Sequence, residues 1–390
     1  MKKIISVLLS SIITAAAALS FMPKDTVNAA EEYDPNKWTI LCYFCGSDLE
    51  QDECASTDVK EMIDATEGTD LRFVVMCGGS DVDHDYFKSY ASFRLLIEDG
   101  RVYKVGDPTL RNMGDEQTLT DFLRWGSLTF PSEKTGVVIW DHGGGALGGC
   151  CYDDLFDYDN LTLPEMNASF EKAMDIRGEK FDFVAYDCCL MASLELACML
   201  EDSADYLVAS QEVMPGEGFD YTAIADYITA HPDCDSYSAC EAICNGYWDS
   251  FGGDVPYYAT ISIMDLNKID TMMTTLGRYC DSVDQYMNAS EARSLCNALN
   301  QECDIDYNFV DMYSFIDCCS SYVDPASFAL NEAISDFVPY ARNGSAHQGC
   351  SGVTLYIPVT SLYEDEEELF YKILPEYTGY TNFIHDLTGY

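Results

Sequence analysis

The sequence predicts an α/β protein in three layers, helices packed on both faces of a mostly parallel central sheet. Two observations carry that prediction. Short β-rich apolar runs alternate with helical patterns along the chain, the signature of layered α/β domains. Each run is also nearly continuous in apolar character, as strands buried on both faces must be. In chain order the reading gives a strand at Thr39–Phe44, a helix at Asp58–Ala65 and a strand at Leu71–Cys77. An antiparallel hairpin follows over Tyr90–Val105, with Asp99-Gly100 at its turn. Next come a helix at Leu119–Gly126, a strand at Val137–Trp140, a helix at Leu163–Met174 and a strand at Phe183–Tyr186. A helix at Leu190–Leu200, a strand at Tyr206–Ser210 and a helix at Tyr221–Thr229 complete a core expected to span residues 30–255. Past residue 255 the pattern restarts with a strand at Ala259–Met264, long helical stretches and a strand at Gly352–Pro358. Residues 256–390 are expected to pack on the core as a C-terminal region.

Residues 1–29 read as a secretory signal peptide. Met1-Lys2-Lys3 is a basic start, Ile4–Phe21 is apolar, and Val27-Asn28-Ala29 is a small-x-small cleavage site. No later segment is long or apolar enough to cross a membrane, so the expected product is soluble, secreted and monomeric. Formal net charge is −46; removing the leader, with three Lys and one Asp, leaves −48. Such a surface repels nucleic acid and anionic lipid and attracts cationic substrates. Eighteen cysteines suggest disulfides in a secreted chain. Their spacing argues for a few at most. Cys150/Cys151, Cys188/Cys189 and Cys318/Cys319 are adjacent pairs, and Cys42 and Cys77 lie inside strand-like runs where Cys acts as a small hydrophobe. Cys42-x-x-Cys45 has no second pair at zinc-ribbon spacing.

Two strand ends concentrate the chemistry. Val137–Trp140 leads into Asp141-His142-Gly143-Gly144-Gly145. Sites in open α/β sheets form at the carboxyl ends of strands, which is where His142 falls. The glycines let a backbone N–H approach a substrate closely, as an oxyanion hole requires. The other four histidines, His84, His231, His347 and His385, lie in ordinary polar settings. The Gly run is no phosphate loop, because no Gly-Lys-Ser/Thr follows it. The second strand, Phe183–Tyr186, runs into Asp187-Cys188-Cys189-Leu190-Met191, with a helix expected at once. A thiolate at a helix N-terminus beside an imidazolium is stabilised as the attacking form. His142 precedes Cys189 by 47 residues, close to the caspase separation of about 50. Strand alternation points Cys188 and Cys189 to opposite faces without saying which faces the site.

These two blocks together resemble the clostripain family of cysteine peptidases, caspase-like in fold. The family pattern Asp-x-Cys-Leu-Met lands on Asp187, Cys189, Leu190 and Met191, and leaves Cys188 as the variable position. Trp38–Glu50, Asn112-Met113-Gly114-Asp115, Ala209–Glu212, Pro215-Gly216-Glu217-Gly218 and Ser351–Pro358 extend the similarity over roughly Trp38 to Ile384. The resemblance implies that Cys189 attacks the scissile carbonyl and that His142 protonates the leaving amine. It implies an oxyanion hole from the N–H groups of Gly143 and Cys189. It also implies cleavage after Arg or Lys, with Asp187 and Glu217 as acidic residues of the S1 pocket, although an aspartate is the family's residue at the second position. A helix N-cap is the alternative role for Asp187.

Family members can be activated by cleavage at a basic residue between the His and the Cys. Ala146–Leu163 holds no Lys or Arg, which leaves a single-chain enzyme or cutting by another protease. No cofactor is expected. Calcium dependence in some relatives makes Asp153-Asp154 and Asp157-x-Asp159 conceivable Ca²⁺ ligands, and a solvated loop is the plainer reading. The functional expectation is thus a secreted cysteine endopeptidase acting on proteins or peptides with basic residues. Its rivals are the same machinery with another P1 preference, an inactive binding protein of the same fold, and a disulfide-stapled adhesin.

Overall fold

The computed structural model describes residues 34–287, 308–322, 325–357 and 378–388, with short pieces at 294–295, 298 and 372–374. The proposed signal peptide and Pro358 lie outside them. Strands are numbered along the chain: β1 (Asp34–Cys45), β2 (Arg72–Gly78), β3 (Ser92–Glu98), β4 (Arg101–Thr109), β5 (Ser132–Trp140), β6 (Cys150–Asp153) and β7 (Asp159–Leu161). They continue as β8 (Phe181–Asp187), β9 (Ala204–Ala209), β10 (Thr260–Asp265), β11 (Phe309–Asp311), β12 (Tyr340–Asn343) and β13 (Thr354–Tyr356). Nine of them form one sheet in the order β12-β10-β9-β8-β5-β1-β2-β3-β4. The centre, β9-β8-β5-β1-β2, is parallel, and β10, β12, β3 and β4 add antiparallel edges.

The chain starts in the middle of this sheet. From β1 it builds outward through β2, then returns to the other side of β1 to add β5, β8 and β9. The order therefore reverses between β1 and β5, and the carboxyl ends of these two strands flank the crevice where α/β sheets place their sites.

Alternation along β1 separates two cores. Ile40, Cys42 and Phe44 face one side and pack with the helices Cys54–Ala65, Tyr221–Ala230 and Ser236–Ser250. Leu41, Tyr43 and Cys45 face the other, with the helices Glu116–Thr129, Leu163–Arg177, Leu194–Leu200, Ile269–Asp284 and Met312–Cys319. Each fully buried Leu, Ile or Phe contributes about 1.5–3 kcal/mol, so the continuous apolar strands explain why the sheet is sandwiched. The fold is caspase-like: three layers, α/β/α. The region after residue 255 supplies β10 and β12 to the same sheet, and its helices join the second core.

Local chemistry explains most element ends. Asp115 caps the helix at Glu116 by accepting the Thr118 N–H at 3.0 Å. Thr162 and Glu165 form a capping box before Leu163–Arg177, which ends at Gly178 in the left-handed conformation (φ 82°). The β3–β4 turn has positive φ at both Asp99 and Gly100, as a type I′ hairpin needs.

Two predicted features differ. The Ala146–Leu163 segment is structured, with a helical turn at Gly145–Gly148 and the β6–β7 hairpin. The helix expected from Leu190 begins only at Leu194, capped by Ser193. Leu190 has a left-handed backbone (φ 65°), and its N–H donates to the Glu212 carbonyl at 3.1 Å; the Ala192 N–H donates to Ser210 O at 2.9 Å. Contacts with the segment following β9 replace the first helical turn.

Candidate active site

Trp140 of β5 and Asp187 of β8 are register partners. His142 and Cys189 each lie two residues beyond that pair, so adjacent parallel strands deliver both to the same sheet end. The loops they enter are pressed together. A Cβ at Gly143 would collide with the Cys189 carbonyl, so only glycine fits there. Next to these residues the N–H groups are spent: Gly144 donates to Gly149 O and Leu190 to Glu212 O. Those of Gly143 and Cys189 make no hydrogen bond among the described residues.

The adjacent cysteines are unlike. Cys188 is buried in the core, its Sγ 3.5 Å from the Ile139 carbonyl, and burial drives its thiol well above the usual range. Cys189 is partly exposed, and its Sγ accepts the Met214 N–H at 3.2 Å. Desolvation raises its pKa too, partly offset by that N–H, while Asp187, Asp141 and Glu212 raise it further. This corrects the expectation of a thiolate stabilised by a helix dipole. The helix begins five residues later, and the acids around the sulfur favour the protonated thiol.

His142 is half-exposed, and its Nε2 lies 2.7 Å from Asp48 Oδ1 on the loop after β1. That hydrogen bond holds the Asp48 carboxyl below its ordinary range. The sequence reading placed this loop in the family resemblance but gave Asp48 no role; only pairing across the β1–β5 crevice reveals it. Asp141, next to the histidine, is buried and accepts from Ser47 Oγ at 2.6 Å; burial pushes it to about 7.

Asp187 is buried, and its Oδ2 accepts from the Phe219 N–H (3.0 Å) and the Tyr221 hydroxyl (3.1 Å). It is no helix N-cap. Oδ1 makes no hydrogen bond among the described residues. Burial raises this carboxyl, and buried Asp58 nearby is raised too, first by burial and then by Asp187. Gly218 packs on the carboxylate with φ 58°, so a side chain there would strike Asp187. Glu217 is exposed on the same turn. The Tyr247 hydroxyl, to which the sequence assigns no role, is buried without a hydrogen-bond partner among the described residues, within electrostatic reach of Asp187, Tyr258, Cys189 and Glu217.

Two cavities lie beside the Gly143–Gly148 loop and the Glu212–Val213 segment. One, of about 440 Å³, is lined by Gly143, Leu147, Tyr152, Leu190, Phe309 and Tyr356 among others. The other, of about 620 Å³, is lined by Glu212, Val213, Tyr257, Tyr258, Ala346 and His347. Neither is lined by Asp187, which Gly218 covers. His347, expected in an ordinary polar setting, is buried with Nε2 3.2 Å from Glu212 Oε1. Among the described residues no group of three or more His, Cys, Asp or Glu is arranged to hold a metal ion. Asp153 accepts instead from the N–H groups of Met113 (2.7 Å) and Leu155 (2.9 Å).

A histidine and a cysteine at the carboxyl ends of neighbouring strands, on a caspase-like sheet, define the cysteine peptidases of this architecture. The family model described as Peptidase C11, clostripain family, matches residues 42–350, and the chain belongs to that family. Clostripain of Hathewaya histolytica is 31% identical over 246 residues, which are 52% of this chain and 44% of that protein. The chain thus spans under half the length of that relative. A secreted C11 cysteine protease from Bacteroides thetaiotaomicron, solved with an irreversible peptide inhibitor, superposes with a TM-score of 0.65 at 18% identity, covering 88% of this chain and 98% of that one. An inactive zymogen C11 protease from Parabacteroides distasonis gives 0.64 at 19% identity, covering 87% and 96%. These two likenesses establish the fold. No helix among the described residues is long and apolar enough to cross a membrane.

Proposed function

We propose that this chain is a secreted cysteine endopeptidase that cleaves after Arg or Lys, with Cys189 as nucleophile and His142 as its acid–base partner. The observation that carries the reading is the register of β5 on β8, which delivers both residues two steps past a paired Trp140 and Asp187. Secretion is supported by the basic-apolar-small pattern of residues 1–29 and by the secreted structural relative. The anionic surface favours cationic protein or peptide substrates and disfavours nucleic acid and anionic membranes. The chain acts as a monomer and needs no cofactor.

In the proposed reaction the Cys189 thiol gives its proton to His142 as sulfur adds to the scissile carbonyl. The free N–H groups of Gly143 and Cys189 receive the oxyanion, each donor contributing about 3 kcal/mol. His142 returns the proton to the leaving amine as the C–N bond breaks, and water then hydrolyses the thioester. The P1 cation is taken by Asp187, whose Oδ1 makes no hydrogen bond among the described residues and can accept from a guanidinium or ammonium once uncovered, with Glu217 on the rim. Because Gly218 covers Asp187, entry of a P1 side chain requires the 215–219 turn to lift.

Hydrolysis of fluorogenic peptides carrying Arg, Lys, Asp or Leu at P1 tests this directly. Cleavage confined to Arg and Lys and lost in Cys189→Ala is the expected result. Cleavage after other residues would discard the S1 assignment, and activity that survives Cys189→Ala would discard the nucleophile.

A further inference from the structure

We propose that Asp48 completes the catalytic group as a positioning residue, holding the His142 imidazole by Nε2 so that Nδ1 is the nitrogen that exchanges protons with Cys189 and the leaving amine. This deepens the reading above and rests on it.

Topology makes the first argument. Asp48 leaves β1 and His142 leaves β5, the two strands between which the strand order reverses. A side chain bridging the crevice at that point must come from these loops. The second argument is the contact itself, Oδ1 to Nε2 at 2.7 Å, well within charge-assisted hydrogen-bond range. A carboxylate can only accept, so it selects the tautomer with the proton on Nε2 and leaves the Nδ1 lone pair as the base.

The third argument is that the loop is built to hold Asp48 in place. Gly46 N–H donates to Gly78 O and Glu50 N–H to Gly46 O, both at 2.8 Å. The Glu50 side chain is fully buried, accepting from Ser56 N–H at 2.9 Å and pairing with His84 Nδ1 at 3.0 Å. Ser47 takes a left-handed backbone (φ 41°), uncommon outside glycine, and its hydroxyl anchors on Asp141. Anchors on both sides thus fix an aspartate whose own side chain is exposed. An ordinary surface ion pair has no such scaffolding.

The consequence for the reaction is definite. When the thiol proton reaches Nδ1, the ring carries protons on both nitrogens, and ionised Asp48 stabilises the imidazolium. When the C–N bond breaks, Nδ1 releases its proton to the amine, and Asp48 stays ionised throughout. Asp141 and Asp154 also act on His142 electrostatically, but neither hydrogen-bonds its ring.

Asp48→Asn and Asp48→Ala decide the matter. The asparagine is isosteric at an exposed position, so folding is retained. Turnover of an Arg-P1 peptide should fall about 100-fold or more in both, with KM within about threefold, a loss on the scale of acid–base catalysis. The acid limb of kcat/KM should move to lower pH in Asp48→Asn, because the imidazolium loses its counter-charge. A kcat within threefold of the parent together with an unmoved acid limb would overturn the proposal. Nitrogen NMR of the imidazoles supplies a readout that needs no substrate. His142 should carry its proton on Nε2 in the parent and lose that preference in Asp48→Ala, and the same tautomer in both would sink the idea even if the parent cleaved no basic peptide. That last failure would count against the P1 assignment alone.

Discussion

Two acids of the site are held in opposite ways. Asp187 is buried beneath Gly218, accepting from a backbone N–H and the Tyr221 hydroxyl, and desolvation raises its pKa. Asp48 lies across the crevice, 60% exposed, and its bond to His142 lowers its pKa. Burial disfavours the charge on the first, and the imidazole hydrogen bond favours the charge on the second. On the proposed reading burial suits Asp187 to a specificity pocket, where ionisation coupled to a guanidinium would discriminate against neutral side chains. Exposure suits an orienting group that must stay ionised through the cycle.

The largest test of this division uses the adjacent cysteines. Cys189→Ala should reduce peptide hydrolysis to background, on the order of a 10⁶-fold loss as for other removed nucleophiles. Cys188→Ala, on the core side, should keep activity within a few-fold and lower Tm instead. Thermal melts and steady-state rates on both variants separate the roles, and equal losses of activity would erase the distinction.

Gly143→Ala should come next. Its methyl meets the Cys189 carbonyl, so one of the two loops must shift, and kcat should fall at least about 100-fold if an oxyanion donor moves with it. An alanine variant with normal kcat would remove Gly143 from the oxyanion assignment.

Asp187→Asn sharpens the comparison from the buried side. Replacing a charged acceptor costs about 1.5–3 kcal/mol, so kcat/KM for Arg and Lys peptides should drop roughly 10- to 100-fold, with any cleavage after neutral residues unchanged. Glu217→Gln, on the exposed rim, should change the same ratio by no more than about fivefold. Equal effects from the two would mean that the 215–219 turn opens fully before substrate binds.

The smallest effect is on stability. Asp141 and Glu195 are buried, each with one carboxyl oxygen that has no partner among the described residues, and burial pushes both to about 7. Their unfolded values lie near 4. Between about pH 4 and 7 the unfolded chain therefore releases protons that the folded chain keeps, and stability falls as pH rises through that window. Tm should be higher at pH 5.5 than at pH 8, by roughly 5 °C. A Tm that rises over that interval would show that these acids ionise in the fold without cost.

Much of this was legible from residues alone. The parallel strands, the β3–β4 turn at Asp99-Gly100 and the placement of His142 and Cys189 at strand ends all follow from local pattern, because apolar runs, turn dipeptides and strand-end glycines are short-range signals. The early helix at Leu190 was misread because its residues are good helix formers. Glu212 and Ser210, some 20 residues away, took the backbone hydrogen bonds that the first turn needed. His347 falls in an ordinary polar setting by sequence because nothing near it in the chain foretells Glu212.

By itself the sequence determined the layers, the chemical types at the site and the resemblance that names the nucleophile. Those depend on hydrophobic period and on which residues adjoin a strand end. Only the tertiary structure decided which cysteine faces the crevice, what Asp187 binds and that Asp48 reaches His142. Each of these is set by pairing between strands far apart in the chain: β5 on β8 brings histidine to cysteine, and β1 beside β5 brings Asp48 to the histidine. A sequence records the residues that such pairing joins, but not the register that joins them.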